Sequence, residues 1–313
     1  MAERFPCAQC GAQLEFAPGT TSLKCPYCGF VQALVVSTEG VVELPYEQWV
    51  HADVPANPNL QEVVCQTCAA TFNLPPNQAA GKCPFCGGNI VLPPQQSGQI
   101  QPRALLPFAV DKKLARDKYK QWVSSRFWAP NDLKKLAMVE GGLSGVYVPY
   151  WTFDSFTITH YTGARGIDRI VTESYTDSDG NTQTRQRVET DWWPAAGTVQ
   201  VPFDDVLVLA SGRLPPRYAQ AMKTWQLGGL VTYENGFLSG FQAVRYDVGL
   251  QDGFGTATEL MQPEIDQTIR YDIGGDHQQI HTKDTNYLDT TFKHVLLPIW
   301  SGAYRYKGKT WNY

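Results

Sequence analysis

All eight cysteines of the chain stand in CxxC pairs before residue 87, and this constrains the fold more than any other feature. The pairs follow one spacing, C-x2-C-x14-C-x2-C, which occurs twice, 58 residues apart. The first set is Cys7, Cys10, Cys25 and Cys28, and the second set is Cys65, Cys68, Cys83 and Cys86. Because CAQCGAQLEFAPGTTSLKCPYCG aligns with CQTCAATFNLPPNQAAGKCPFCG without a gap, we interpret the region as an internal duplication.

Metal binding explains these cysteines better than disulfides do. The first residues, MAERFPCAQC, lack the apolar segment of a secretion signal, so we expect a reducing compartment in which disulfides rarely persist. Two CxxC turns that face each other across a hairpin supply the four thiolates of a structural zinc ion. With four sulfur ligands an ion has no open position for water, so we predict two structural Zn2+ ions and no catalysis at zinc. A redox dithiol is the alternative reading of each CxxC pair.

The remaining sequence predicts linkers and one larger domain. We place a first zinc ribbon at 1–38, a linker at 39–59, a second ribbon at 60–92, a Pro-containing linker at 93–107 and a larger domain at 108–313. The larger domain mixes strand and helix patterns without a regular βαβ alternation, which predicts the α+β class with a mostly antiparallel sheet. The chain ends at TWNY inside a strand-like run, so we expect this domain to be truncated at its C-terminus.

Individual elements of the larger domain follow from residue periodicity. Alternation of apolar and polar residues predicts strands at 145–163, 201–211, 237–250 and 292–313. The polar run 169–190, with Asp179-Gly180 near its centre, predicts an exposed hairpin. Helices are predicted from Asp111 onward, at 133–139, at 214–225, and at about 256–270, where Thr256 and Glu259 form a capping box and Pro263 a kink or interruption.

Charge argues against nucleic acid as the partner of the ribbons. Residues 1–100 carry three basic side chains against seven acidic ones, and each zinc ion with four thiolates adds about two negative charges. Binding to phosphates depends on lysine and arginine, which are scarce here. We therefore expect protein contacts through the apolar residues of the hairpins, or packing of those residues beneath each ribbon. They are Leu14, Phe16, Phe72 and Leu74.

A basic segment follows the second linker. Residues 111–136 contain eight basic and three acidic side chains. The predicted helix places apolar residues (Ala115, Tyr119, Trp122 and Val123) on one stripe and Lys112, Lys113, Arg116 and Lys120 on the opposite face. That face could bind anionic lipid head groups or nucleic acid. The alternative, which we favour, is a solvated basic surface.

The sequence offers no clear catalytic motif. Gly308-Lys309-Thr310 lacks the preceding glycine of a phosphate-binding loop, because Ala303 stands there. His277 and His281, in a predicted loop or helix start, have a spacing that suits metal binding only weakly. Asp204 and Asp205 are adjacent, and on a strand they would face opposite ways, so we expect them to serve a turn or cap. Taken as a weaker alternative, Asp204, Asp205 and His277 would form a hydrolase site.

Several stretches together resemble a known family. CPYCG, LPFAV, FWAP, GVYVPYWTFD, FDDVLVLAS, LSGF, DIGGD and FKHVLLPIW are similar to a bacterial family labelled TFIIB-type zinc ribbon or primosomal helicase-like, and the resemblance covers nearly the whole chain. Members often neighbour SPFH-domain and phage-shock-type membrane-stress proteins, and several continue into a C-terminal membrane segment. The resemblance implies a role in such an assembly. The missing phosphate loop argues against the helicase label.

These observations predict a non-enzymatic zinc-binding adaptor that recruits protein partners. SPFH-domain or phage-shock-type proteins are the partners that the resemblance implies. We expect a cytoplasmic protein, and we leave open a peripheral association with the inner face of the membrane. The alternative is a replication or repair accessory factor that binds nucleic acid through the basic helix at 111–136.

Overall fold

A computed structural model describes residues 5–12, 14–35, 40–51, 61–64, 70–74, 80–82, 85, 89–91, 100–125, 143–211, 225–244, 246–301, 303–306 and 309–312. The chain divides into two compact units. Unit 1 comprises Met1–Thr152, Leu207–Gly253 and Phe292–Tyr313, and unit 2 comprises Phe153–Val206 and Phe254–Thr291. The predicted ribbon, linker and domain boundaries stay a prediction.

Three short strands form the first cysteine repeat. Strands β1 (Glu15–Phe16), β2 (Ser22–Lys24) and β3 (Val31–Ala33) pair antiparallel in the order β1-β2-β3. The turn between β1 and β2 closes with a hydrogen bond from the Ala17 N–H to the Ser22 carbonyl at 2.9 Å. The strands are two or three residues long, so their backbone pairing alone provides little stability.

The second repeat reproduces part of this pattern. After β4 (Leu44–Pro45) come β5 (Gln61–Val64), β6 (Thr71–Leu74), β7 (Ala80–Lys82) and β8 (Asn89–Val91). Strands β7 and β8 have the bounds of β2 and β3 shifted by 58 residues. Their pairing is shifted by the same amount, with Ala80 opposite Val91 as Ser22 is opposite Ala33. The matching register supports the internal duplication.

The remaining described strands build a larger mixed sheet. These strands are β9 (Ala104–Leu105), β10 (Ser144–Thr176), β11 (Thr182–Leu209), β12 (Val231–Thr232), β13 (Gln242–Ala243) and β14 (His277–Ser301). The order in the sheet is β12-β9-β14-β10-β13-β6-β5, with β11 pairing with β10 and β4 pairing with β14. Strands β9 and β14 are parallel, as are β10 and β13, whereas β5–β6, β6–β13 and β9–β12 are antiparallel. The α+β class is therefore confirmed.

Helices and a terminal hairpin complete the description. The α-helices are α1 (Tyr46–Trp49), α2 (Lys112–Ser125) and α3 (Leu250–Ile273), and two 3-10 turns cover Leu227–Gly229 and Asn235–Leu238. Strands β15 (Ala303–Tyr306) and β16 (Lys309–Asn312) pair antiparallel. Within the residues that the structure describes, no helix is both long and apolar enough to cross a bilayer.

The core of unit 1 includes the first cysteine repeat. Leu14, Phe16 and Leu23 of the repeat are buried in one cluster with Phe108, Tyr147 and Phe237, which lie far away in sequence. The Phe16 and Phe237 rings lie 5.1 Å apart, and the Phe16 N–H donates to the Ser239 carbonyl at 2.9 Å. Apolar residues of the first repeat are therefore packed into a larger core.

This packing decides between the two roles expected for the apolar hairpin residues. Leu14, Phe16 and Phe72 are fully buried, Phe72 in a second cluster with Val146, Tyr150 and others. They pack beneath the strands and are not exposed to a partner. Leu74 belongs to β6, and its side chain lies outside the described residues.

Unit 2 is organised around helix α3 and three strands. Ala257, Met261, Ile265, Ile269 and Ile273 recur every four residues along α3 and are all buried, so one stripe of the helix faces the core. On β10, Phe153, Ser155, Thr157, Thr159 and Tyr161 alternate with more exposed residues and form the buried face of the sheet.

The structure corrects three predictions of secondary structure. Helix α3 begins at Leu250, so Thr256 and Glu259 lie inside it and form no cap, and the helix continues through Pro263. In the described part of 237–250, predicted as one strand, the short strand Gln242–Ala243 follows a turn at Gly240, where φ is 87°. Residues from His277 onward form strand β14 and not a loop or helix start. The helices predicted at 133–139 and 214–225 lie outside the described residues, apart from Trp225.

A buried histidine stands in the core of unit 1. The His294 ring lies between Trp151 and Tyr246, with ring centroids 4.9 and 5.2 Å away. Its Nδ1 is 2.8 Å from the Ile100 carbonyl oxygen and must carry the proton of that hydrogen bond, while its buried Nε2 has no hydrogen-bond partner. Burial lowers the pKa of His294 from 6.5 to about 4, because the charged imidazolium would lose its hydration.

We predict that His294 makes unit 1 sensitive to acid. In the unfolded chain His294 binds a proton below pH 6.5, whereas in the folded chain it stays neutral down to about pH 4. The free energy of unfolding therefore decreases as the pH falls through this interval. His294→Asn can keep the hydrogen bond to Ile100. Over this pH range its free energy of unfolding, measured in urea, should decrease by roughly 3 kcal/mol less than that of the wild type. His160→Asn, at an exposed position, is the control and should behave as the wild type. If the free energy of unfolding of His294→Asn depended on pH as steeply as that of the wild type, His294 would not be the cause of the acid sensitivity.

Candidate metal centre

The structure gathers the first cysteine set into one cluster. The ligand atoms of Cys7, Cys10, Cys25 and Cys28 all lie within 4.8 Å of one another. The Cys7 and Cys28 sulfurs are 3.5 Å apart, as are those of Cys10 and Cys25. A disulfide bond is about 2.05 Å long, so the four cysteines are free thiols.

Two equivalent turns position the four sulfurs. The Gly11 N–H donates to the Cys7 carbonyl at 2.9 Å, and the Gly29 N–H donates to the Cys25 carbonyl at 3.1 Å. Both glycines have positive φ values, 73° and 76°, which L side chains rarely adopt. Each CxxC pair therefore ends in a glycine that reverses the backbone and lets both sulfurs of the pair point the same way.

The pKa values of the Cys25 and Cys28 thiols differ strongly. The backbone N–H of Cys28 lies 3.5 Å from the Cys25 sulfur, and it is the main cause that lowers the pKa of the Cys25 thiol to about 6. For Cys28 the Phe30 N–H acts in the same direction, but burial and the neighbouring Cys7, Cys25 and Cys10 sulfurs raise its pKa to about 12. The Cys25 thiolate therefore forms readily, whereas the pKa values of the Cys10 and Cys28 thiols are raised.

This donor set fits a tetrahedral zinc ion. With bonds of about 2.3 Å from zinc to sulfur, the sulfurs of a regular tetrahedron lie about 3.8 Å apart, and the observed separations require small adjustments. A divalent cation would also balance the thiolate charges that the cluster otherwise resists. Cys7 and Cys25 are buried while Cys10 and Cys28 are exposed, so an ion could enter from the exposed side.

The structure describes some of the other predicted site residues but not the second cysteine set. The second set, Cys65, Cys68, Cys83 and Cys86, lies outside the described residues. On α2 the basic residues Lys112, Lys113, Arg116 and Lys120 are exposed, and Ala115 and Tyr119 are half-buried, as the helix pattern predicts. The Asp111 carboxylate accepts a hydrogen bond from the Leu114 N–H at 2.7 Å and caps this helix.

The two adjacent aspartates are closer than sequence reasoning allowed. Carboxylate oxygens of Asp154, Asp204 and Asp205 lie within 4.8 Å of one another. Asp205 has a φ of 50°, so the strand does not keep its regular alternation there, and the expectation that the two side chains face opposite ways is wrong. The Asp154 carboxylate accepts a hydrogen bond from the Asp205 N–H at 2.6 Å, which supports this local geometry.

His277 and His281, near the start of β14, occupy separate environments. The His277 Nε2 lies 3.1 Å from the Asp168 carboxylate, which also accepts a hydrogen bond from Thr190 at 2.7 Å. His281 lines an open groove of about 610 Å³ with Thr162, Ala164, Trp192 and Pro194 among its other residues. Sequence analysis missed this groove, although the exposed run Trp192-Trp193-Pro194 was visible as a signal.

Comparison with known proteins gives one sequence similarity. No family model matches the chain, and no solved structure matches it. The chain is similar to the uncharacterized protein YdjG of Bacillus subtilis (strain 168), with 23% identity over 309 residues that cover 97% of this chain and 84% of YdjG.

We predict two zinc ions per folded chain and the loss of one in Cys25→Ser. Serine cannot replace the thiolate ligand, and Cys25 belongs to the buried cluster of unit 1, so thermal unfolding should also begin at a lower temperature. Elemental analysis and calorimetry on the same samples provide the measurement. Cys83→Ser should likewise lose one ion, whereas Tyr27→Ala, inside the same turn as Cys25, should keep both. A folded Cys25→Ser chain that retains two ions would contradict the site.

Proposed function

We propose that the protein is a non-enzymatic adaptor in which two structural zinc ions shape a surface that recruits a protein partner. The observation that carries this proposal is the cluster of Cys7, Cys10, Cys25 and Cys28, whose four sulfurs would complete the coordination of a tetrahedral ion and leave no position for a substrate. By the duplication, the second cysteine set would hold the second ion. A membrane-stress assembly with SPFH-domain or phage-shock-type proteins is the setting that the family resemblance implies.

Exposed apolar residues of the first repeat support a contact surface. Tyr27, in the turn between Cys25 and Cys28, is 82% exposed, and Val35, just after β3, is 88% exposed. Val31 at the start of β3 is also exposed. Since Leu14, Phe16 and Leu23 already fill the core beneath the strands, the exposed residues do not contribute to that core. Exposed aromatic and aliphatic residues beside a rigid turn are suited to protein recognition.

Electrostatics supports a protein partner for this surface. The first hundred residues have more acidic than basic side chains, and four thiolates on one zinc ion would add further negative charge. A nucleic-acid backbone would be repelled there. The exposed basic face of α2 supports the second candidate, a nucleic-acid accessory factor, because Lys112, Lys113, Arg116 and Lys120 all remain solvent-accessible.

We predict that substituting the exposed apolar residues abolishes partner recruitment and leaves zinc content unchanged. The tagged chain, purified from bacterial lysate with its bound proteins, is compared with the double variant Tyr27→Ser/Val31→Ser by quantitative mass spectrometry. A specific partner should fall at least tenfold in the variant, because two buried side chains would be lost from the interface. Leu114→Ser, at an exposed apolar position on α2, should retain the partner.

The two candidate functions separate in a second measurement. Duplex DNA and anionic vesicles are titrated at increasing salt with the wild type and with Lys112, Lys113, Arg116 and Lys120 changed to Glu. The adaptor proposal expects weak binding to DNA that the substitutions barely change, together with unaltered partner capture. Tight DNA binding with a steep salt dependence, lost in the variant, would instead establish the nucleic-acid function.

A further inference from the structure

The outer edge of strand β11 is open along the hairpin of unit 2. In the part of the chain that the structure describes, β10 is the one strand that pairs with β11. Residues 182–188 of β11 are all exposed. An edge strand with free N–H and C=O groups is a template for another strand. The side chains of β11 determine which strand can pair with this edge.

The register of the hairpin shows which backbone groups point outward. The Asp177 N–H donates to the Asn181 carbonyl at the turn, and the side-chain pairs Arg169–Glu189 and Asp168–Thr190 fit the same register without a slip. Hydrogen-bonded and non-hydrogen-bonded pairs alternate along an antiparallel ladder. Odd-numbered residues of 181–191 therefore bond to β10, and even-numbered residues direct their N–H and C=O groups to the open edge.

The prolines of β11 agree with this alternation. Pro194 and Pro202 both occupy even-numbered positions, where the missing N–H would have pointed outward. Neither proline therefore removes a bond to β10. Pro194 also ends the stretch of the open edge that could pair with another strand, so the usable segment is 182–193.

Charged residues on one face of this segment form an inverted pattern about Val188. Arg185, Arg187, Glu189 and Asp191 are alternate residues and therefore share a face. Residues at equal distances before and after Val188 have opposite charge. If a second copy of the strand pairs antiparallel with Val188 opposite Val188, each Arg187 faces a Glu189 and each Arg185 faces an Asp191. Opposite charges directly across a strand pair are stabilising.

Within one chain these charges already form ion pairs that leave them accessible. Arg169 contacts Glu189 at 2.6 Å and Asp191 at 2.8 Å, and Glu173 is contacted by Arg187 at 2.6 Å and by Arg185 at 3.1 Å. The three arginines have more than half of their side-chain surface exposed. Pairing with the hairpin of a second copy would extend this ladder of ion pairs from two strands to four.

The opposite face of the same segment carries exposed aliphatic side chains. Val188 is 64% exposed and Ile170 is 70% exposed, and the hairpin register places them directly across from each other. In a pair of hairpins joined at Val188, the order across the four strands would be Ile170, Val188, Val188 and Ile170. Gln186 and Thr190 flank the strip and carry no charge, so nothing on this face opposes the pairing.

We propose that two copies of the chain dimerise by antiparallel pairing of β11 with β11, centred on Val188 and limited by Pro194. The pairing is two-fold symmetric, adds about ten backbone hydrogen bonds, and joins the two hairpins into one sheet. The partner is a second copy because the charge inversion about Val188 makes the strand complementary to itself. This inference does not rest on the proposed adaptor role or on zinc.

The first test interrupts the open edge and keeps the hairpin. Val188→Pro removes an N–H that points away from β10, so the hairpin ladder is retained while the centre of the dimer contact is lost. Sedimentation equilibrium of the full chain should give a dimer for the wild type and a monomer for Val188→Pro. Gln200→Pro, also at an outward position but beyond Pro194, should stay dimeric. A wild type that is monomeric up to about 1 mM, or a dimer that survives Val188→Pro, would overturn the proposal.

The second test exchanges charges and controls for folding. In Arg187→Glu both cross-copy contacts become Glu opposite Glu, and in Glu189→Lys they become Arg opposite Lys. Each variant alone should self-associate at least about tenfold more weakly than the wild type. Mixed one to one, they restore opposite charges at both contacts and should form a heterodimer of wild-type affinity. Because a misfolded hairpin could not be rescued by mixing, a mixture that stays monomeric would refute the pairing.

Discussion

The crowding of four sulfurs is the constraint on which the first part of this molecule depends. Two tight turns ending at Gly11 and Gly29 bring the sulfurs together, and the backbone N–H groups of those turns favour a thiolate at Cys25. The same closeness opposes a second thiolate at Cys28. A divalent cation would resolve this conflict, because it would bind all the thiolates at once. Such an ion would also connect the turns on either side of the short strands β1 to β3, whose own pairing provides little stability.

The same β-hairpin occurs in both repeats, but its structural context differs between them. Strands β7 and β8 keep the register of β2 and β3, yet the strands that precede them differ in their neighbours. Strand β1 pairs with β2 inside its own repeat, whereas β6 pairs with β5 and with β13 of the larger sheet. Both repeats contribute a phenylalanine, Phe16 or Phe72, to a core of unit 1. The repeats are therefore part of the architecture of that unit.

Local patterns predicted the parts of the fold that local chemistry controls. The cysteine spacing predicted the cluster of Cys7, Cys10, Cys25 and Cys28, and Asp179-Gly180 predicted the exposed hairpin. The second set of cysteines, the zinc ions and the partner stay predictions. The start of β14 was missed because its residues are polar, and pairing with β10 through Thr159–Thr285 and Thr162–Thr282 holds it extended. The closeness of Asp204 and Asp205 depends on one residue with positive φ, which no residue pattern specifies.

The burial of the first repeat in the core of unit 1 has a consequence for the life of the protein in a cell. Cys7 and Cys25 share a cluster with Phe108, Tyr147 and Phe237, so if these cysteines hold zinc, its loss would disturb the core of unit 1 as well as the repeat. It would expose aromatic side chains from distant parts of the chain and open the unit to proteases. Under zinc starvation the abundance of the protein would then fall together with its function.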